Sequence, residues 1–275
     1  MKNKKIGIEV RKMSELQNTP YKISFISGKG GVGKSVLASN IAYVISQMNS
    51  KVLIWDANRK FPNTHLFYGV EPPIRLGDVY KGIVPVEKAI FKINENLHIL
   101  SDEPATFSDD EEDKFRFDDI YRDLIKKTSY DYIIFDTPAG LNNINVELAL
   151  ISDLNCLVIT DEPTSLLDGY ALIKVLREYM DIDKIKLVVN NTIDYDDGSD
   201  IATKMNLATE KFLGFKAEVI GIIPYSRIVR QSIIKQEIFV QTDPDEEISQ
   251  AIREFCGLIF RRTSRTFLHT NEIVN

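Results

Sequence analysis

The sequence predicts an α/β protein with a single doubly wound, mostly parallel sheet and helices on both faces. Short, nearly continuous apolar runs recur along the chain, as expected of parallel strands that are buried on both faces. These runs are residues 21–26, 51–56, 97–100, 130–136, 154–160, 185–190 and 219–223. Helical patterns separate most of them, for example at 36–45, 167–180 and 202–213. A sheet of this kind binds its ligands at the C-terminal ends of the strands.

The composition fits one large domain and excludes several classes of function. The chain has 275 residues, 44% of them hydrophobic and 27% charged, which is enough for one ample core. The formal net charge of −6 argues against general nucleic-acid binding. Cys156 and Cys256 lie in apolar segments without a metal or disulfide pattern, so we expect reduced thiols in a cytoplasmic protein. No apolar run approaches the ~20 residues of a membrane-spanning helix.

The first strand leads into a glycine-rich loop. Residues 27–35 read S-G-K-G-G-V-G-K-S and match the phosphate-binding pattern G-x-x-x-x-G-K-[ST]. Glycines allow backbone N–H groups to surround phosphate oxygens. Lys34 supplies charge for the β- and γ-phosphates, and the Ser35 hydroxyl is a Mg²⁺ ligand. The predicted nucleotide contacts here are Gly28, Lys29, Gly30, Gly31, Val32, Gly33, Lys34, Ser35 and Val36.

Lys29 narrows the class of nucleotide-binding protein. The form G-K-G-G-V-G-K-S resembles the deviant Walker A motif of the MinD/ParA ATPases, which have a P-loop NTPase fold. In that family the extra lysine reaches across a nucleotide-sandwich dimer to the partner's phosphates, much as an arginine finger does. The resemblance therefore implies ATP and Mg²⁺ as ligands, a homodimer with ATP, and Lys29 acting in trans. A solvated lysine on an exposed loop is the alternative.

Two strand-terminal carboxylates are the candidate metal ligands beside Ser35. Asp136 ends an apolar strand, as a Walker B Asp does, and the loop 137–140 after it is expected to sense the γ-phosphate. The alternative for Asp136 is a cap for the helix that follows from Asn142. Asp56 ends the second strand, where the resemblance implies a role in organising the water shell of the magnesium ion.

The sequence departs from the family at the water-activating position. The family has Asp-x-Asp at the end of the second strand, whereas residues 56–58 read D-A-N here. An amide orients water through hydrogen bonds but cannot accept its proton. We therefore expect either a switch with slow or impaired ATP hydrolysis or a catalytically inactive nucleotide-binding scaffold. The catalytic candidates are Lys29, Lys34, Asp56 and Asn58.

A base pocket is predicted at two later strand ends. The family reads adenine at the position of Asn190, whose side chain offers the paired donor and acceptor that the base edge needs. Pro224 and Tyr225 close the last strand and are predicted to line the same pocket. For Tyr225 the alternative is a packed loop aromatic.

One string of residues points to a branch of the family. Residues 160–174 read T-D-E-P-T-S-L-L-D-G-Y-A-L-I-K and resemble the FlhG/FleN branch, the MinD-like regulators of flagellar number and placement. Thr164, Ser165 and Asp168 are expected either to cap the following helix or to meet a partner subunit. The branch implies as partners an FlhF-type GTPase, a flagellar switch or regulator protein, and a membrane surface.

The predicted organisation has three parts: a flexible arm at 1–20, a MinD-like ATPase domain at 21–260 and a tail at 261–275. Three arginines beside Phe267 and Leu268 give the tail the composition of a short membrane anchor. We therefore expect a cytoplasmic protein, peripheral at the inner face of the cell membrane where the tail binds. A ParA-type DNA partition ATPase is a further alternative. Because the chain carries a net negative charge, we do not expect specific DNA binding.

Overall fold

The computed structural model describes residues 19–59, 61–102 and 117–272, with side chains up to residue 263. In these residues eight strands form one sheet in the order β3-β4-β2-β5-β1-β6-β7-β8. All neighbouring strands are parallel except β3 and β4, which are antiparallel. The strands are β1 Tyr21–Ile26, β2 Val52–Asp56, β3 Ile90–Lys92, β4 Leu97–Leu100, β5 Tyr132–Asp136, β6 Leu154–Ile159, β7 Ile185–Thr192 and β8 Glu218–Pro224.

Helices cover both faces of this sheet. They are α1 Lys34–Gln47, α2 Leu76–Tyr80, α3 Val86–Ala89, α4 Phe117–Lys127, α5 Asn143–Ile151, α6 Pro163–Leu176, α7 Tyr195–Leu213, α8 Arg227–Lys235, α9 Phe239–Thr242 and α10 Glu247–Glu272. Alternate strand residues face opposite sides: Ile54 and Ile134 pack with α1 and α10, whereas Leu53 and Ile133 pack with α2 to α5. The predicted doubly wound α/β fold is confirmed.

Some elements begin or end where the sequence pattern did not place them. Helix α6 begins at Pro163 rather than near residue 167, because proline suits the first helical turn. Helix α10 runs without a break through the predicted domain boundary at 260–261, and the buried Thr263 hydroxyl lies 2.8 Å from the Tyr132 hydroxyl. The start of the predicted tail is therefore part of the final core helix.

Two predictions fall on parts of the chain that the structure leaves undescribed. Residues 1–18 of the predicted arm and the side chains of Phe267 and Leu268 lie outside the described residues. Among the helices that are described, none has both the length and the apolar character needed to cross a membrane.

Candidate nucleotide-binding site

The glycine-rich loop lies at the centre of the sheet edge. It joins β1 to α1, and β1 lies between β5 and β6. Strands β2 to β5 lie on one side of β1 and strands β6 to β8 on the other, so the strand order reverses here. Ligands of doubly wound sheets bind in this crevice. Gly31 and Gly33 have φ values of +79° and +96°, which only glycine adopts at little cost. A Cβ at Gly28 would overlap the backbone of Asp168, so the loop passes directly against α6.

Lys34 lies buried beneath the loop. Its Nζ donates to the Ser27 hydroxyl at 2.8 Å, and that hydroxyl donates to the Lys29 carbonyl at 2.6 Å. Burial lowers the pKa of Lys34, while the charge of Asp136 opposes that shift. A phosphate group would give this ammonium an anionic partner in place of a neutral hydroxyl, which favours phosphate binding.

Lys29 forms an ion pair within its own chain. Its Nζ contacts the carboxylate of Glu162, the residue that precedes α6. The Lys29 side chain is 29% exposed and that of Glu162 is 55% exposed, so water and other molecules reach the pair. The structure therefore replaces the solvated-lysine alternative with a paired lysine. A role in trans requires this lysine to leave Glu162.

The two candidate metal carboxylates lie side by side. Asp56 and Asp136 are direct register partners on β2 and β5, and both are buried. Asp56 accepts backbone N–H groups from Asn58 at 3.1 Å, Asn63 at 2.8 Å and Thr64 at 2.9 Å. Burial, together with the neighbouring Asp136, raises the pKa of Asp56 to about 7. Such a pair is a strong attractor for a cation.

Asp136 is held by groups from three directions. It accepts a hydrogen bond from the Thr64 hydroxyl at 2.9 Å. Burial raises the pKa of Asp136, while a hydrogen bond from Ser35 and the charge of Lys34 act against that shift. The alternative role as a helix cap does not apply, because Asn142 caps α5 by accepting the N–H of Asn145 at 2.9 Å.

These groups fit a magnesium ion. The Oδ1 atom of Asp136 is buried and has no hydrogen-bond partner within the described part of the chain, and Ser35 lies close enough to this carboxylate to lower its pKa. The described residues contain no cluster of three or more His, Cys, Asp or Glu side chains able to hold a metal. A cation here would therefore take most of its ligands from water and phosphate oxygens, as Mg²⁺ does.

Asn58 lies in the loop that follows β2. Its side-chain amide donates to the Phe61 carbonyl at 3.1 Å and so closes the loop on itself. The next residue, Arg59, binds the buried Asp102 carboxylate through Nε at 3.1 Å and lies 4.4 Å from the centre of the Tyr80 ring. The loop is therefore fixed at its start by Asp56 and in its middle by the contact of Arg59 with Asp102, which follows β4.

The residues predicted to bind the base line a cavity of about 250 Å³ beside the loop, and its use as a base pocket stays a prediction. Gly33, Val36, Asn190, Pro224 and Tyr225 line it, and the Asn190 amide donates to the Val32 carbonyl at 2.8 Å. Tyr225 is 63% exposed, which disfavours the alternative of a packed loop aromatic. One wall comes from α8, which the sequence reading missed although its lining residues recur with helical spacing: Val229, Arg230, Ile233 and Ile234.

Residues 160–174, at the end of β6 and the start of α6, make several structural contacts. Ser165 does not cap the helix; its hydroxyl accepts the backbone N–H of Thr160 at 3.0 Å and so ties the end of β6 to α6. Thr164 and Asp168 are exposed on the first turns of the helix, beside the glycine-rich loop. Sequence reading also missed Ser27, Thr64 and Glu162 as contacts of the site.

Comparison with known proteins identifies the family of this chain. The profile of the CobQ/CobB/MinD/ParA nucleotide binding domain matches residues 23–239. The chain belongs to this family. The MinD/ParA resemblance carried by residues 27–35 is thereby confirmed.

Relatives within the MinD/ParA family agree with the branch indicated by residues 160–174. Antiactivator FleN of Pseudomonas aeruginosa is 27% identical over 238 residues, which cover 84% of this chain and 83% of FleN. The flagellum site-determining protein YlxH of Helicobacter pylori is 26% identical over 247 residues, covering 88% of this chain and 82% of YlxH. The resemblance to the FlhG/FleN branch is confirmed by these relatives.

Solved structures show the same fold. The cell division ATPase MinD of Pyrococcus furiosus superimposes with a TM-score of 0.73 at 24% identity and covers 88% of this chain and 99% of its own. The MinD cell division protein of Aquifex aeolicus superimposes with a TM-score of 0.67 at 28% identity, over 87% of this chain and 97% of its own.

Proposed function

We propose that this protein is an ATP-operated switch that dimerises with ATP, hydrolyses it slowly and controls flagellar number or placement. The observation that carries the proposal is the convergence of Lys29, Lys34, Ser35, Asp56 and Asp136 on one crevice of a MinD/ParA fold. The names of two relatives, an antiactivator and a flagellum site-determining protein, support the flagellar role.

The rim of the crevice supports dimerisation. Large apolar side chains are exposed on the loops that follow β2, β5, β7 and β8 and on the start of helix α6 after β6, and these strands all end at the same edge of the sheet. They are Phe61, Leu141, Leu167, Ile193 and Tyr225. Clusters of exposed apolar side chains around a polar centre mark interaction surfaces. Two chains that meet face to face around two ATP molecules would bury this rim.

Within that dimer each part of the site has a separate task. Lys34 and the loop N–H groups bind the phosphates of their own chain, and Ser35 with Asp136 holds Mg²⁺, which neutralises the charge of the phosphates when bound. Lys29 leaves Glu162 and adds its charge to the phosphates bound by the other chain. Asn58 orients water but takes no proton from it, so turnover is slow.

The decisive experiment is the oligomeric state in sedimentation velocity with Mg²⁺ and a non-hydrolysable ATP analogue. The wild-type protein is expected to dimerise, and Lys29→Ala is expected to bind the analogue yet remain a monomer. A wild-type protein that stays monomeric at saturating analogue would refute the switch.

An inactive nucleotide-binding scaffold is the second candidate, and the amide at Asn58 favours it. Phosphate release over hours separates the two, because a slow switch releases phosphate above the level of a Lys34→Ala control. Asn58→Asp supplies the missing carboxylate and is expected to raise the rate by about 10²-fold, the lower end of the usual contribution of a general base of about 10²–10⁴. A rate that stays at the control level in both proteins would identify the scaffold.

Contact with a membrane is part of the same proposal. Arg261 is exposed near the end of the described side chains of α10, next to Arg262, which pairs with Glu218, and basic residues on a helix favour anionic lipids. A single short anchor binds weakly, so dimerisation would double the attachment. Co-sedimentation with vesicles containing phosphatidylglycerol, with and without the ATP analogue, tests this. Binding to DNA instead would favour a partition protein.

A further inference from the structure

Thr64 connects the two buried carboxylates of the site. It is fully buried and begins the short 3₁₀ turn Thr64–Tyr68 that follows the loop after β2. Its backbone N–H donates to Asp56 Oδ2 at 2.9 Å, and its hydroxyl donates to Asp136 Oδ2 at 2.9 Å. One residue therefore contacts both acids, through its main chain on one side and its side chain on the other.

The contact with the hydroxyl decides which oxygen of Asp136 faces a cation. Oδ2 is occupied by Thr64, while Oδ1 is the buried oxygen without a hydrogen-bond partner among the described residues. A carboxylate that is fixed through one oxygen presents the other in a defined direction. Groups that fix metal-binding carboxylates in this way usually matter nearly as much as the ligands themselves.

The main-chain contact ties the same turn to the loop that carries Asn58. Asp56 accepts N–H groups from Asn58 and Asn63 as well as from Thr64, so it holds both ends of the loop. Arg59 anchors the middle of the loop to Asp102. A shift of Asp136 on binding a cation would therefore reach this loop through Thr64.

We propose that Thr64 is a positioning residue of the magnesium site, which orients Asp136 for the cation and couples cation binding to the loop after β2. The proposal rests on the proposed function, because it assumes that Mg²⁺ enters with the nucleotide. It concerns a residue that the glycine-rich loop and the strand-terminal acids do not reveal, since Thr64 lies 72 residues from Asp136.

The variant Thr64→Val isolates the hydroxyl. Valine keeps the β-branched shape and the backbone N–H to Asp56, but it leaves Asp136 Oδ2 without its donor. Thr64→Ser keeps the hydroxyl and serves as the conservative rescue. Thr209→Val is the matched control, because Thr209 is equally buried and its hydroxyl, among the described residues, donates only to the Asn206 carbonyl on α7, at 3.2 Å.

The measurement is binding of a fluorescent ATP analogue, first in excess EDTA and then across a Mg²⁺ titration. Thr64→Val is expected to bind the analogue in EDTA as tightly as the wild type, within about two-fold. The Mg²⁺ concentration at half-maximal effect is expected to rise by about 10–100-fold, the usual loss when an outer partner of a metal ligand is removed. Thr64→Ser and Thr209→Val are expected to match the wild type.

The outcomes separate the possible errors. An unchanged Mg²⁺ midpoint in Thr64→Val overturns the proposal, and so does an equal loss of affinity in EDTA and in Mg²⁺, which indicates a merely structural residue. If the valine variant does not fold, Thr64→Cys, a weak donor of similar size, is expected to show an intermediate midpoint, and a wild-type midpoint there overturns the proposal. Wild-type protein that binds no analogue overturns the proposed function as well.

Discussion

The ion pair between Lys29 and Glu162 yields a quantitative prediction about dimerisation. If Lys29 acts in trans, each chain must break this pair when the dimer forms. Glu162→Gln removes the attraction while it preserves the shape of the side chain. We therefore expect the variant to dimerise at lower protein concentration than the wild type, with the same ATP analogue and Mg²⁺.

The exposure of the Lys29–Glu162 pair sets the size of the expected change in the dimer dissociation constant. Side chains that are 29% and 55% exposed form an ion pair of the surface type, which contributes about 0.2–1 kcal/mol. Two pairs break in each dimer, so the total is about 0.4–2 kcal/mol, or about two- to thirty-fold in the dimer dissociation constant. The effect should shrink as salt is raised from 50 to 500 mM, because salt screens exposed charges.

The assay is sedimentation velocity across a protein dilution series. Asp161→Asn is the matched control, since Asp161 is the adjacent exposed acid and Lys29 pairs with Glu162. A Glu162→Gln dimer that is no tighter than wild type would refute the competition between the two roles of Lys29. Equal tightening by Asp161→Asn would also refute it, because the cause would then be the general loss of negative charge.

Three further predictions concern the loop, the rim and the buried acids. Gly33→Ala places a side chain at φ +96° and against the Asn190 amide, so we expect a loss of about 1–2 kcal/mol of stability in denaturant unfolding together with loss of analogue binding. Leu167→Glu, at a side chain that is 67% exposed, should leave the stability of the monomer within about 0.5 kcal/mol and prevent dimerisation in sedimentation. Because the folded pKa of Asp56 is about 7 against an ordinary 3.8, the folded chain binds more protons between these values. Thermal stability in EDTA should therefore fall as pH rises from about 4 to 7 and then level off, and this fall should be smaller in Asp56→Asn or with Mg²⁺ and nucleotide.

The features that could be predicted from the sequence are those that neighbouring residues create. The phosphate loop needs glycines, a lysine and a serine at fixed spacing, and buried parallel strands need unbroken apolar runs, so both leave a local pattern. The fold and the ends of β2 and β5 followed from these patterns. The edge strand β3 was not predicted, because its three residues are too few to show a periodicity. It pairs antiparallel with β4.

The contacts that regulate the site could not be predicted, because they join distant parts of the chain. Lys29 and Glu162 are 133 residues apart, and Asn190 is 158 residues from Val32. Local patterns identified Lys29 and Asn190 as candidates, but they gave neither partner and did not identify Glu162. The alternative that local patterns left open for Asp136, a helix cap, is excluded by Asn142, which caps α5.

These contacts have a consequence for what drives dimerisation. Lys34 exchanges a neutral hydroxyl for a phosphate when ATP binds, so it gains a charged partner, and this gain favours nucleotide binding by the single chain. Lys29 exchanges one anionic partner, Glu162, for another, so its move into the second site is nearly neutral in free energy. The drive for two chains to meet must then come mainly from burial of the apolar rim around the crevice. Calorimetry of dimerisation should accordingly show a large negative heat-capacity change, which Leu167→Glu abolishes, whereas a change near zero in the wild type would place the drive in charge pairing instead.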